Sequence, residues 1–73
     1  MTDVEKSIIL AFADNNMDFS KTARSANYHR NSIYYQMHRI MKKYKLNPQK
    51  FYDLVELVKM AKGENNERNI IQR

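Results

Sequence analysis

The sequence predicts an all-α fold of four short helices. Glycine and proline each occur once in 73 residues, which leaves few tight turns and disfavours a β architecture. Apolar residues instead recur at steps of three and four in separate blocks, as amphipathic helices require. Helix-start signals stand at the heads of these blocks. A chain of this length forms one domain with a small core, so the helices must bury their stripes on one another.

Thr2 with Glu5 three residues on is a capping box, and it opens a first helix over residues 2–15. Val4, Ile8, Ala11 and Phe12 form its expected stripe, and Asn15-Asn16 end it because Asn tolerates the left-handed conformation. Asp18 is the natural N-cap of a short second helix, 19–26, whose Ser20, Ala23 and Ala26 allow close approach to its neighbours. Asn27 then takes the positive φ of a tight turn, with Tyr28 as that turn's apolar residue. His29 or Arg30 opens the third helix, 30–44, in which Ile33, Met37, Ile40, Met41 and Tyr44 make a one-sided stripe. Asn47 before Pro48 signals a cap and first turn for a fourth helix, 48–62. Phe51, Leu54, Val55, Val58 and Ala61 are its expected buried side, and Gly63 is its terminator. Residues 1–62 thus form the domain. The segment 63–73, mostly "ENNERNIIQR", is polar and uncapped and reads as a disordered tail in which Ile70-Ile71 can still pack on a partner chain.

Charge is distributed unevenly. Between residues 20 and 50 stand Lys21, Arg24, Arg30, Arg39, Lys42, Lys43, Lys45 and Lys50, with no Asp or Glu, in a chain of net charge +5. All eight acids lie outside that stretch. A merely solvated surface intersperses both signs, whereas this segregation builds a positive field over the middle of the domain, suited to a polyanion. Cysteine is absent, so neither a disulfide framework nor a thiolate metal site is available, in keeping with a reducing cytoplasm. No apolar run approaches the roughly 18 residues of a membrane span, and "MTDVEKSIIL" lacks the basic start of a signal peptide. The expected location is cytoplasmic, on the nucleoid.

Short helix, tight turn, longer helix with a basic polar side: this arrangement is a helix-turn-helix, and the whole reads as a small homeodomain-like (or winged-helix-like) three-helix core plus a fourth helix, without a wing. The third helix turns Asn31, Ser32, Tyr35, His38, Arg39 and Lys42 away from its apolar stripe, with Arg30 at the leading end. A DNA major groove is about 12 Å wide and admits a helix whose first turns reach base edges. Arg can fork onto guanine and Gln can pair with adenine there, while helix N–H groups point at phosphate. The candidate DNA-binding residues are therefore Lys21, Arg24, His29, Arg30, Asn31, Ser32, Tyr35, Gln36, Arg39, Lys42 and Lys43.

The stretch from 9 to 61 resembles the C-terminal helix-turn-helix domain of PucR/CdaR (sugar-diacid regulator) transcription factors, and more distantly the Fis-type DNA-binding domain. The resemblance rests on Asn15-Asn16, "SKTA" at 20–23, "HRNSI" at 29–33, Tyr35, Arg39-Ile40 and the closing "LNP…DLVELV". It implies a sequence-specific regulator that binds DNA as a dimer, with Arg30, Asn31, Ser32 and Tyr35 facing the DNA. Family members usually carry this domain after a sensory region, whereas here Met1 leads directly into the first helix, as in a stand-alone miniature or an excised domain. No effector site is evident, and the chain's expected partners are double-stranded DNA and a second copy or larger chain. Tyr34, Gln36 and His38 stand where the family often has arginine, Met17 stands where glycine is frequent, and the link between the third and fourth helices is short.

Other functions fit less well. His29 and His38 lie too far apart in sequence to share a helix face as i, i+4 metal ligands, no carboxylate is near them, and no cofactor is implied; His29 instead suits a cap or a phosphate contact. Tyr34 and Tyr44 suit the core rim, and the five methionines suit gap-filling in the core. No nucleophile–base–acid set or Gly-rich loop is present, so an enzyme is not expected. A basic amphipathic helix can lie on a membrane, but three other helices compete to bury its apolar side. An A-form RNA groove does not admit a helix. The serious rival is a protein-interaction module, an adaptor or antirepressor, binding an acidic partner through the same fold.

Overall fold

A computed structural model describes residues 1–63. It contains helices α1 (Asp3–Asp14), α2 (Phe19–Ala26), α3 (Arg30–Tyr44) and α4 (Phe51–Ala61), with no strand among the described residues. The expected tail beyond Gly63 lies outside them. Helix α1 is the hub: it packs against α2, α3 and α4, and α2 packs against α3. Helix α4 meets α1 but neither α2 nor α3. The core joins Ile8, Ile9 and Phe12 of α1, Ala23 of α2, Ile33, Met37 and Ile40 of α3, and Leu54, Leu57 and Ala61 of α4. An aromatic run, Phe12 to Phe19 (5.0 Å between centroids) and Phe19 stacked on Tyr34 (4.2 Å), ties α1, α2 and α3 together at one edge.

The caps define the first two helices as expected. The Thr2 hydroxyl accepts the Glu5 N–H while the Glu5 carboxylate accepts the Thr2 N–H. Asp18 accepts the Lys21 N–H. Asn27 adopts the left-handed conformation (φ 63°), and the N–H of Tyr28 reaches back to the Ala23 carbonyl at 2.8 Å. Asn16 (φ 56°) and Met17 (φ 64°) turn the chain after α1, and Gly63 (φ 74°) follows α4.

Several expected faces are rotated. In α1 the buried side is Glu5, Ile8, Ile9 and Phe12, while Val4 is exposed and Ala11 only half-buried. The cause is Glu5: its carboxylate has partners on α3, which turns that side of α1 inward. In α2, Thr22 and Ala23 are the buried pair, with Ser20 and Ala26 half-buried. Thr22 pays no desolvation penalty because its hydroxyl donates to the Asp18 carbonyl at 2.6 Å. Tyr28 is exposed rather than packed in its turn.

Helix α4 begins at Phe51, not at Pro48. Asn47 and Pro48 are equally suited to positions i and i+1 of a β-turn, and they take that option: the Lys50 N–H bonds the Asn47 carbonyl, and the Asn47 side chain accepts the Gln49 N–H. Asp53 turns back to accept the Asn47 N–H, leaving Lys50 as an N-cap without a side-chain bond. Pro48 is buried under this turn. Leu54, Leu57 and Ala61 fill the core from α4, whereas Val55 and Val58 are half-buried and Phe51 is largely exposed. The methionines also divide. Met37 is core, Met1, Met17 and Met41 are half-buried, and Met60 is exposed.

Candidate nucleic-acid interface

The register of α3 sets the site. With Ile33, Met37 and Ile40 buried, residues half a turn away must face out, and 31, 35, 38 and 42 are that opposite row. Asn31, Tyr35, His38 and Lys42 are all exposed, and Arg39 beside them lays its guanidinium 5.9 Å from the Tyr35 ring centroid. The row is continuous over the length of the helix and contains no acid. Tyr35, 61% exposed, presents a flat ring and a hydroxyl at its middle.

The other candidates divide by position. Lys21 and Arg24 lie on the exposed side of α2. Their row adjoins the leading end of α3, because Arg30 leans back toward α2: its guanidinium meets the Ser20 hydroxyl at 3.4 Å and the Tyr34 ring at 5.9 Å. Ser32 and Gln36 sit half-buried on the flank of α3. His29 occupies the N-cap position, but its side chain makes no capping bond. The first-turn N–H groups of α3 are thus free of a side-chain cap and open toward an anion.

Lys43 differs from the rest. Its ammonium lies 3.3 Å from the buried Glu5 carboxylate, which also accepts the Tyr44 hydroxyl at 2.7 Å. Burial pushes the Glu5 carboxyl up, but hydrogen bonds from the Thr2 N–H, Tyr44 and Lys43 outweigh it and hold the group at about 2. Lys43 is raised in turn, by its neighbours Tyr44 and Glu5. This ammonium therefore ties α3 to α1 and is drawn away from the outward row. Tyr44, expected at the core rim, belongs to the same cluster. Burial and the Glu5 carboxylate both raise its phenol.

Sequence reasoning set His38 on the polar side but left it out of the contact residues. The structure aligns it with Asn31, Tyr35 and Lys42. The signal that finds it is the spacing 31–35–38–42 counted from the buried stripe, rather than residue type. The withdrawal of Lys43 has no local signal, since it depends on a carboxylate 38 positions earlier in the chain. Among the described residues, no helix is long and apolar enough to cross a membrane.

No curated protein and no solved structure matches the chain. The family model of the PucR C-terminal helix-turn-helix domain matches residues 7–60. That span runs from within α1 to the last turn of α4 and contains the whole outward row of α3. The chain belongs to the PucR C-terminal helix-turn-helix domain family.

Proposed function

We propose that the chain is a transcriptional regulator that binds duplex DNA sequence-specifically, with α3 in the major groove, and works as a dimer on the cytoplasmic nucleoid. The observation that carries this reading is the acid-free row Asn31, Tyr35, His38 and Lys42 with Arg39 beside it. Asn31 and Tyr35 stand in the first turns, where a docked helix meets base edges; Arg30, Ser32 and Gln36 flank them. Arg39 and Lys42 lie further along and hold backbone phosphate. Lys21 and Arg24 grip phosphate from α2, and His29 stands beside the uncapped N–H groups. No step of this reading involves catalysis, and the family supports a binding role.

Two measurements test it. Affinity for random duplex should fall steeply with salt: about four phosphate contacts, from Lys21, Arg24, Arg39 and Lys42, give a log–log slope near −3.6 at about −0.9 per contact. A flat response would point instead to the acidic-protein partner. Selection of bound sites from a random duplex library should enrich one motif in two half-sites about 34 Å apart. Recovery of no motif would leave only non-specific binding.

A further inference from the structure

The side of the domain away from α2 and α3 carries a second surface. Between the end of α1 and α4 lies a groove of ≈420 Å³ walled by Ala13, Met17, Phe51, Leu54, Val55 and Val58. Beside it Phe51 is 62% and Tyr52 82% exposed, the two rings meeting edge-on at 5.3 Å. Exposed aromatic rings beside an apolar groove with a polar rim are the composition that protein–protein contacts favour.

The rim says which partner. The Asp53 carboxylate is taken by the Asn47 N–H, and Lys50 and Lys62 stand at the two ends, so the charges beside Val55 and Val58 are Glu56 and, one turn on, Lys59. Glu56 and Lys59 pair within the chain at 3.6 Å but remain 58% and 53% exposed. A Glu and a Lys placed in this order complement themselves when the helix is turned end for end. Two-fold pairing sets Glu56 of one α4 against Lys59 of the other, with Val55 and Val58 near the axis.

We propose that the groove is closed by a second copy of this chain, through antiparallel contact of α4 with the partner's α4. None of Asn31, Tyr35, His38 and Lys42 lines this groove, so the contact does not draw on the basic row of α3. The proposal takes from the functional reading only the need for a second copy, and dimerisation is measured without DNA, so failure of one is distinguishable from failure of the other.

Sedimentation equilibrium of the full chain, free of DNA, tests it. The wild type should show a monomer–dimer equilibrium, and Tyr52→Ala should raise the dissociation constant about 30-fold, as loss of one aromatic anchor does. At its exposed position that substitution leaves the fold intact, and an unchanged helical spectrum checks this. Glu56→Lys and Lys59→Glu should each dimerise poorly alone and pair preferentially when mixed, which a contact within one chain cannot produce. A wild type monomeric at every concentration overturns the proposal, as does a dimer indifferent to Tyr52→Ala. A monomer whose melting temperature falls with Ile70→Ser and Ile71→Ser together would overturn it too, by assigning the groove to the chain's own end.

Discussion

On α3 the side turned from the core is Asn31, Tyr35, His38 and Lys42; on α4 the exposed or half-exposed residues include Phe51, Tyr52, Val55 and Val58. Both helices bury a similar set of three core residues against the same hub. They differ in what is left over. Helix α3 spends its aliphatic residues Ile33, Met37 and Ile40 on the core and shows water a polar, cationic row around Tyr35. Helix α4 has more apolar residues than the core can take, and the surplus faces out. A periodic stripe identifies which residues want burial, but the number of neighbours decides how many obtain it. Helix α3 touches α1 and α2, whereas α4 has only α1. One surface therefore suits a polyanion and the other an apolar partner.

The largest effect should come from breaking the core shared by both regions. Ile40 is fully buried, so Ile40→Asp leaves an unpaired charge inside and costs several kcal/mol, enough to unfold so small a domain. Val55→Asp, on the half-buried side of α4, should cost much less. Thermal melts of the two variants compare them directly, and equal losses would mean that the α4 surplus is core after all.

Next in size is the clamp between α1 and α3. The folded-state value of Glu5, about 2, lies below its ordinary 4.5. Its contribution is therefore complete above pH 4.5 and is lost as pH falls toward 2. Glu5→Gln should cost on the order of 2 kcal/mol at neutral pH and flatten that part of the acid unfolding curve. Denaturant melts between these limits read the difference. An unaltered acid limb would show that the Glu5–Lys43–Tyr44 cluster carries no stability.

A smaller gain is expected where α3 ends. Lys45 is exposed and left-handed, with φ 61°. Glycine adopts that conformation without strain, so Lys45→Gly should stabilise by about 0.5–1 kcal/mol. The change also removes a cation from the basic segment. An increase in melting temperature with little loss of DNA affinity would separate backbone strain from phosphate contact, and a lower melting temperature would contradict the strain argument.

Local chemistry made much of this legible in the sequence. Thr2 with Glu5, Asp18 and Asn27 fix the ends of α1 and α2 because capping partners lie within three residues or so. The stripe Ile33, Met37 and Ile40 fixed which side of α3 would face out. Pro48 misled because a helix first turn and a β-turn use the same Asn-Pro pair, and only Asp53 folding back on Asn47 separates them. The capping role of Glu5 was legible, but its contact with Lys43 was not. Each is polar and ordinary in its own helix, and their pairing exists only once α1 crosses α3. The same stripe also turns His38 outward, and counting that spacing, rather than judging residue type, brings it among the candidate contacts.

The central claim is that the leading turns of α3 read sequence while its far end only holds the backbone. The direct test measures wild type, Asn31→Ala and Lys42→Ala on a selected duplex and on a scrambled one, each variant first shown to melt like wild type. Asn31→Ala should cost about 1–3 kcal/mol on the selected site and little on the scrambled one. Lys42→Ala should weaken both alike and flatten the salt slope by about one unit. If Asn31→Ala lowers affinity equally on both duplexes, that residue grips phosphate, and the account of α3 as a sequence reader is wrong.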